Sequence, residues 1–355
     1  MKVNDIERRK YRIFHLVSLV VLFALLGDAA AHDRPFSRIV AFGASLTDPG
    51  NFYALEPHPE LFCAPEDFFD PRTNFPPYDL LSNDPSNFRI PDRPYAKGGK
   101  HFTNGPTYVE VLGQRLHLAA STGPAFNTYR HYASNYAVGG ARATDFPCRV
   151  NLGDQVAAFR SDFRGYAPRD ALYVFEIGGN DVRDALDSAA AGRDPTEVIT
   201  MALEQLGQTA YELYGMGARK FLFLNVPNLG RLPAVRAVDA LFPGTSAGAE
   251  SLTRAYNEGL AGLVAGIGAL PGVRFAKVLD VYTKFNDILD HPRRSGFANA
   301  TDTCVTPNIP PYDCRRPDKY VFWDGIHPTR AVHGIFGEEA AKLVLKRKGH
   351  HATLH

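Results

Sequence analysis

Three segments of this chain place reactive or hydrogen-bonding groups directly after an apolar, strand-like run. These groups are Ser45 after residues 38–42, Gly139 and Gly140 after residues 132–138, and Asn180 after residues 171–177. A serine hydroxyl can act as a nucleophile, whereas glycine amides and an asparagine side chain can donate hydrogen bonds to a substrate oxygen. In parallel sheets ligands bind beyond the carboxyl ends of the strands, so we expect these groups to lie together.

An acid and a base near the C-terminus can activate that serine. Asp324 stands three residues before His327 in a glycine-containing loop, a spacing that lets the carboxylate hydrogen-bond the imidazole and fix its tautomer. Ser45, His327 and Asp324 would then supply a nucleophile, a base and an orienting acid for acyl transfer. Asp280 and Asp302 are alternative acids, but neither is as close to His327 in sequence.

Other polar residues near these positions have a structural interpretation. His333 is a second candidate base, yet on the last predicted helix we expect it to be a surface or packing residue. Asp48 and Asn51 flank a Pro-Gly pair, where such side chains usually cap turns and helix starts. We expect Asp181 to support its loop and leave the donor role to Asn180.

A second serine has the sequence pattern of a nucleophile elbow. Residues 244–248 read G-T-S-A-G, and Ser246, Asp324 and His327 follow the chain order of α/β-hydrolases. That elbow needs a buried strand immediately before it, whereas Ser246 follows Leu-Phe-Pro-Gly and precedes a helix-like run. We therefore interpret Thr245 or Ser246 as a helix N-cap and favour Ser45 as the nucleophile.

The four motifs resemble those of the GDSL, or SGNH, hydrolase family, and they occur in the family's order. The matching blocks are residues 42–51, 135–141, 178–181 and 324–329. The resemblance implies a triad of Ser45, His327 and Asp324. It also implies an oxyanion hole made by the amides of Ser45 and Gly140 and the side chain of Asn180. The first two blocks look most like the branch with plant and bacterial secreted lipases.

The resemblance implies a secreted carboxylic ester hydrolase that forms an acyl-enzyme and needs no metal or organic cofactor. Lipase, phospholipase, esterase, acyltransferase and polysaccharide deacetylase activities all remain open, because the same residues serve each. A binding protein without turnover is disfavoured by the intact triad. Ala44 departs from the first block, in which the family has Asp. That Asp is not one of the family's catalytic groups, so we expect altered local hydrogen bonding and an active enzyme.

Apolar strand-like runs alternate with longer amphipathic runs along the chain. The predicted strands are residues 38–42, 132–138, 171–177, 220–226 and 273–280. The predicted helices are residues 108–118, 152–163, 196–214, 249–267 and 329–346. This alternation predicts an α/β fold whose parallel sheet is covered on both faces. The resemblance implies a three-layer α/β/α sandwich, flavodoxin-like, with about five strands.

The first 31 residues have the pattern of a secretory signal peptide. A basic start precedes an apolar run at 13–26 and a small-residue site at 29–31. That run is shorter than the ~20 residues that cross a bilayer, so we expect no permanent membrane anchor and a secreted or periplasmic protein. We expect residues 32–348 to form a single domain with long loops at 56–104 and 286–322. Residues 349–355 then form a flexible tail.

Four cysteines fit an exported protein, because disulfides persist in oxidising compartments. Cys304 and Cys314 lie in a Pro-rich stretch that a bridge would staple, and a Cys63–Cys148 pair follows by elimination. Three connectivities are possible for four cysteines. Zinc is the competing interpretation, but the chain has no C-x-x-C pair and no H-E-x-x-H motif.

The charge balance excludes a strongly basic nucleic-acid-binding surface. The chain of 355 residues has 39 Lys and Arg against 38 Asp and Glu, a net charge of +1. Removal of residues 1–31 takes away five basic and three acidic residues and leaves a net charge of −1. We expect a freely diffusing monomer that takes a small-molecule, lipid or polysaccharide ester as its substrate.

Overall fold

The computed structural model describes residues 35–55, 100–127, 132–147, 149–305 and 314–346. Contacts divide the chain into two units, Met1–Ser37 and Arg38–His355, and every helix and strand below belongs to the second. The predicted signal peptide, most of the first long loop, Cys63, Cys148 and the predicted tail lie outside the described residues. In the part of the chain that is described, no helix is both long and apolar enough to cross a membrane.

The central sheet contains four parallel strands in the order β1-β2-β3-β4. The strands are β1 (Ile39–Gly43), β2 (Leu172–Glu176), β3 (Lys220–Leu224) and β4 (Phe275–Leu279). β1 and β2 pair along their whole length, with Ile39 opposite Leu172 and Gly43 opposite Glu176. Both strands are buried at every position, as expected for a parallel sheet with two covered faces.

The predicted strand at 132–138 runs parallel to β1 but is joined to it by an isolated bridge. Tyr136 N donates to Ala41 O at 2.7 Å, and Val138 N donates to Gly43 O at 3.1 Å. The pairing with β1 is not continued because Gly43 N donates to the Gln155 side chain at 2.9 Å and not to the segment. The Asn135 side chain also forms hydrogen bonds with the backbone. Its Oδ1 accepts from Ala137 N at 3.0 Å, and its Nδ2 donates to Thr47 O at 2.8 Å. The sheet therefore has four regular strands flanked by this bridged segment.

Nine helices are present in the described ranges. They are α1 (Asn51–Leu55), α2 (Tyr108–Arg115), α3 (Leu152–Asp162), α4 (Gly179–Ala190), α5 (Pro195–Met216), α6 (Pro233–Asp239), α7 (Thr245–Gly268), α8 (Val281–Asp290) and α9 (Arg330–Leu345). Four of them, α1, α4, α6 and α8, were not predicted. Each of these four helices starts within a few residues of a strand or turn. The sequence there has a strong turn signal and an apolar pattern too short to predict a helix.

The helices form a layer on each face of the sheet. α3, α4, α5 and α7 cover one face and enclose the alternate strand residues Val40, Phe42, Tyr173 and Phe175. The residues between them, such as Ile39 and Ala41, point to the opposite face and are also buried. On that side α9 packs against α2 and β4, and Phe285 of α8 stacks edge-on with Phe336 of α9. The predicted three-layer α/β/α architecture is thereby confirmed.

The stretch expected as a second long loop contains regular structure. β5 (Asn299–Thr303) pairs in parallel with β6 (Tyr320–Phe322) in a separate two-stranded sheet. The expected disulfide between Cys304 and Cys314 is present, with Cα atoms 5.2 Å apart. The bond closes the connection between the two strands, so this stretch is held by both backbone pairing and a covalent link.

His333 joins α9 to the start of α2 and is fully buried, which matches the packing role expected for it. Its Nδ1 accepts a hydrogen bond from Tyr108 N at 3.2 Å. Burial, with His327 and His101 nearby, lowers the pKa of His333 from 6.5 to about 3. Oε2 of Glu110, which is also on α2, lies 2.8 Å from Nε2 of His101. The neutral imidazole of His333 is therefore part of the contact between α2 and α9.

We predict that His333 makes the fold sensitive to acid. The unfolded chain protonates this ring below its ordinary pKa of 6.5 while the folded chain does not, so stability is lost as the pH falls from 6.5 towards 3. At pH 4 the loss amounts to about 3 kcal/mol. A His333→Asn variant keeps an acceptor for Tyr108 N without titrating, and urea unfolding at several pH values should show a smaller acid loss.

Substitution of the exposed His291 by Asn is the matched control for this experiment. It should leave the acid loss of the wild-type protein unchanged, since His291 lies at the surface beyond α8. If the wild-type protein and the His333→Asn variant lost stability equally between neutral pH and pH 4, the buried ring would not be the source.

Candidate active site

Ser45 lies on the tight turn that follows β1. Ala44 N donates to the Glu176 carbonyl at 3.0 Å, so the turn begins while the chain is still bonded to β2. Thr47 N and Asp48 N then both donate to Ala44 O, at 3.1 and 3.0 Å. These bonds hold the half-buried Ser45 at the carboxyl edge of the sheet.

Asp48 and Asn51 hold this turn through backbone hydrogen bonds, as their structural interpretation requires. The fully buried Asp48 carboxylate accepts from Asn51 N at 2.6 Å, and from Gly50 N and Gly139 N, each at 2.8 Å. Burial raises its pKa to about 6 in spite of these bonds, which act in the opposite direction. The Asn51 side chain donates to Ala137 O at 2.8 Å, so both residues tie the turn to the glycine pair.

The loop from β6 to α9 carries the predicted base and acid. Asp324 Oδ1 accepts from Ile326 N at 2.8 Å and from His327 N at 2.7 Å, which closes a tight loop around the carboxylate. Trp323 N donates to His327 O at 2.8 Å, and Thr329 N donates back to Val321 O at 2.9 Å. The three-residue spacing between acid and base is thus fixed by local backbone bonds.

The structure brings Ser45, His327 and Asp324 into one hydrogen-bonded chain. His327 Nε2 lies 2.9 Å from Ser45 Oγ, and His327 Nδ1 lies 2.8 Å from Asp324 Oδ2. Asp324 is 0% exposed and His327 is 6% exposed, so water reaches neither freely. A proton on Nδ1 is held by the carboxylate, which leaves the Nε2 lone pair directed at the serine hydroxyl. This arrangement can deprotonate Ser45 as it attacks an electrophile.

The alternative acids lie in other environments. Asp280 caps the start of α8 by accepting from Thr283 N at 3.0 Å, and it also accepts from the Asn225 side chain at 2.9 Å. Asp302 lies on β5 and accepts from the Asn299 side chain at 2.9 Å. Neither carboxylate is hydrogen-bonded to His327 in the part of the chain that is described, so the geometry favours Asp324.

The glycine pair and Asn180 are also brought together. Asn180 Nδ2 donates to Ala141 O at 2.9 Å, next to Gly140, and its amide group has a second hydrogen to offer. Gly140 has a φ of 80°, which side chains rarely adopt, and its carbonyl accepts from Arg142 Nη1 at 2.7 Å. Among the described residues, no hydrogen bond within the protein uses the amide of Ser45 or of Gly140. These three N–H groups can therefore donate hydrogen bonds to a negatively charged oxygen that develops during acyl transfer.

Two features around the glycine pair were not found from the sequence. A Cβ on Gly139 would overlap the ring of Phe102, so part of the space assigned to a substrate is filled by this side chain. The centre of the Phe102 ring also lies 5.4 Å from the centre of the His327 ring. Arg142, only 2% exposed, forms two hydrogen bonds of 2.8 and 2.9 Å with Asp184 of α4. Only the proximity of Arg142 to the glycine pair hinted at the second feature.

Ser246 is not placed on a nucleophile elbow. It lies at the start of α7, where Asp239 Oδ1 accepts from Ser246 N at 2.9 Å and from Gly244 N at 3.0 Å. The sequence interpretation of Thr245 or Ser246 as the N-cap was wrong, because Gly244 occupies the cap position and Asp239 supplies the acceptor. The helix start explains the pattern without chemistry at this serine.

Asp181 supports its loop, in agreement with the sequence interpretation. Its carboxylate accepts from Ala143 N at 3.0 Å, and burial raises its pKa to about 6. It therefore links the start of α4 to the segment that follows the glycine pair.

Within the described ranges, no cluster of three or more His, Cys, Asp or Glu residues could hold a metal ion.

Comparison with known proteins agrees with the resemblance found in the four sequence blocks. The family model described as GDSL-like Lipase/Acylhydrolase matches residues 39–340. GDSL esterase/lipase At5g42170 of Arabidopsis thaliana is 24% identical over 344 residues, covering 86% of each chain. GDSL esterase/lipase EXL6 of the same plant is 24% identical over 370 residues, covering 96% of this chain and 98% of its own. The chain belongs to the GDSL-like lipase/acylhydrolase family, and the reaction class it shares with that family is the hydrolysis of carboxylic esters.

Proposed function

We propose that this protein is a secreted serine hydrolase that cleaves carboxylic esters through an acyl-enzyme. Ser45 is the nucleophile, His327 the general base and acid, and Asp324 the residue that orients the imidazole. The observation that carries the proposal is the chain of two hydrogen bonds, 2.9 and 2.8 Å long, that joins these side chains. Family membership supports the reaction class.

Acylation begins when Ser45 Oγ attacks the ester carbonyl carbon and His327 Nε2 takes the hydroxyl proton. The imidazolium that forms is stabilised by Asp324, whose carboxylate stays ionised next to Nδ1. His327 then returns the proton to the departing alkoxide, and the C–O bond of the ester breaks. The acyl group remains on Ser45 while the alcohol leaves.

The negative charge of the tetrahedral intermediate needs donors that already point at it. We assign this role to the amides of Ser45 and Gly140 and to the second N–H of the Asn180 side chain. The bond from Arg142 to the Gly140 carbonyl and the bond from Asn180 to Ala141 fix the peptide groups around this point. The donors therefore do not have to reorganise as charge develops.

Deacylation repeats the same chemistry with water as the nucleophile. His327 takes a proton from the water as the water attacks the acyl-enzyme carbonyl. The second tetrahedral intermediate then collapses, its bond to Ser45 Oγ breaks, and His327 returns the proton to Ser45 Oγ as the carboxylic acid leaves. The burial of His327 and its contact with the Phe102 ring favour a dry site. An acceptor alcohol in place of water would give acyl transfer with the same residues.

Secretion is supported by two independent features. Residues 1–31 have the order of basic, apolar and small residues that export signals share. The Cys304–Cys314 disulfide is the kind of bond that persists in an oxidising compartment. The proposed location is therefore outside the cytoplasm, either the periplasm or the medium.

We predict that Ser45→Ala abolishes the turnover of acyl esters. Without Oγ no acyl-enzyme can form, so kcat should fall by at least ~10⁴. Hydrolysis of p-nitrophenyl butyrate gives the rate, and Ser246→Ala is the matched control because Ser246 belongs to the other serine motif. Full activity in Ser45→Ala, or its loss in Ser246→Ala alone, would contradict the assignment.

We predict that Asn180→Ala lowers kcat by about 10²–10³, the usual effect of losing one oxyanion donor. KM should change little, because the donor acts on charge that develops in the transition state. Since Asn180 also bonds to Ala141 O, unfolding by urea must be measured in parallel. A drop in stability with an unchanged kcat would assign Asn180 a purely structural role.

The acyl specificity can be measured with a graded series of substrates. p-Nitrophenyl esters from acetate to palmitate, a phospholipid and acetylated xylan distinguish esterase, lipase, phospholipase and deacetylase activity, each with Ser45→Ala as the blank. The named plant relatives are esterases or lipases, which favours simple acyl esters for this chain. Activity on the xylan alone would contradict that preference.

A further inference from the structure

Glu176 is a buried carboxyl group that the mechanism above does not use. It is the last residue of β2 and lies opposite Gly43, one residue before the turn that carries Ser45. The residue is 8% exposed. Among the described residues, no Lys, Arg or His forms an ion pair with it. A lone carboxyl group is costly to bury, so its contacts require an explanation.

The carboxyl group of Glu176 contacts the nucleophile turn on both sides of Ser45. Its Oε2 accepts from Ala44 N at 3.2 Å and from the Thr47 hydroxyl at 3.1 Å. The Glu176 carbonyl also accepts from Ala44 N, at 3.0 Å. One residue of β2 therefore holds the turn immediately before and two positions after Ser45.

Among the described residues, no other carboxyl group forms a hydrogen bond with Ala44 N or with the Thr47 hydroxyl. The side chain at position 44 is a methyl group, which cannot form hydrogen bonds. The Thr47 hydroxyl, in turn, lies 3.2 Å from the hydroxyl of Tyr108 at the start of α2. Glu176 thus joins β2 to the turn, and the Thr47 hydroxyl joins the turn to α2.

The surroundings of Glu176 favour its neutral form. Burial raises its pKa from 4.5 to about 8, although the bonds from Ala44 and Thr47 act in the other direction. The titratable groups that face it are Tyr108 of α2 and Tyr256 of α7, and burial raises the pKa of both. Asp48, on the same turn, is also buried and acidic. None of these groups supplies a positive charge.

We propose that Glu176 is a positioning residue for the nucleophile, and that it acts as a neutral acid that holds the turn around Ser45. This inference rests on the proposed function of Ser45. Loss of the carboxyl group leaves Ala44 N with its bond to the Glu176 carbonyl but removes the acceptor of the Thr47 hydroxyl, so the turn loosens beyond Ser45 and Ser45 Oγ loses its alignment with His327. Ionisation leaves the acceptor in place but adds a negative charge beneath the turn, where the reaction also creates an oxyanion.

Two variants separate these effects. Glu176→Gln keeps an acceptor oxygen and cannot ionise, whereas Glu176→Ala removes the acceptor. Glu204→Gln, on the exposed side of α5, is the matched control for the change in charge. The measurements are kcat and KM for p-nitrophenyl butyrate from about pH 6 to 9. They are combined with the rate at which a p-nitrophenyl phosphonate labels Ser45 and with urea unfolding over the same range.

We expect the kcat of the wild-type protein and of Glu204→Gln to fall by up to tenfold per pH unit above about pH 8. In Glu176→Gln this alkaline loss should disappear, while kcat near pH 6.5 stays close to wild type. In Glu176→Ala, kcat should fall about 10- to 100-fold across the range with a KM within about twofold, since a misplaced nucleophile slows the chemical step.

The unfolding experiment reports the charge state separately from catalysis. Because the folded-state pKa lies above the unfolded value, the contribution of Glu176 to stability should fall as the pH rises from 4.5 to 8. Above pH 6.5, where His333 is neutral in both states, the wild-type protein should therefore lose stability as the pH rises, and Glu176→Gln should lose less. Identical alkaline profiles of kcat in wild type and Glu176→Gln would overturn the neutral-acid role. An unchanged kcat and phosphonate rate in Glu176→Ala would overturn positioning. If the phosphonate failed to label Ser45 in the wild-type protein, the proposed function itself would fail.

Discussion

The parallel pairing at the carboxyl end of β1 is the constraint on which the rest of the site depends. β1 lies between β2 and the bridged segment that leads to the glycine pair. Ser45, Gly140 and Asn180 each follow one of these three neighbouring chain segments, so their approach is set by the spacing of the sheet. The base and acid come from a different part of the chain and must be brought to this edge by β6 and α9.

The site is built largely from buried polar groups whose partners are backbone amides. Asp48, Asp181 and Asp324 each bind backbone N–H groups of their own loop or of a neighbouring segment. Such bonds offset the cost of removing a carboxylate from water, and they restrain the loops that they join.

Much of the fold and of the candidate site could be predicted, because the relevant signals are local. β1, β2 and β3 are buried on both faces and therefore read as short apolar runs. The Asp324–His327 spacing falls within one loop, so the sequence alone could pair them.

Contacts between distant parts of the chain could not be predicted in the same way. Glu176 contacts a turn more than a hundred residues away, and although it is the one charged residue of an apolar strand, its own segment does not identify its partner. The cap of α7 was misassigned for a similar reason, since the acceptor is Asp239 on α6. The segment at 132–138 has a strand-like sequence, but the bond from Gly43 N that would extend its pairing with β1 goes to the distant side chain of Gln155.

The disulfide at the end of β5 lies beside the loop that carries His327, the proposed base. Cys304 N donates to Phe322 O at 3.1 Å, and Val305 N donates to Trp323 O at 2.8 Å, immediately before Asp324. The segment that is closed by oxidation therefore lies directly against the loop that presents His327. The turn that carries Ser45 depends on the central sheet, and within the described ranges no disulfide closes it. Reduction of this bond would remove a restraint beside His327 and leave the turn at Ser45 as it is, so the alignment of the two side chains would depend on the redox conditions in which the chain folds.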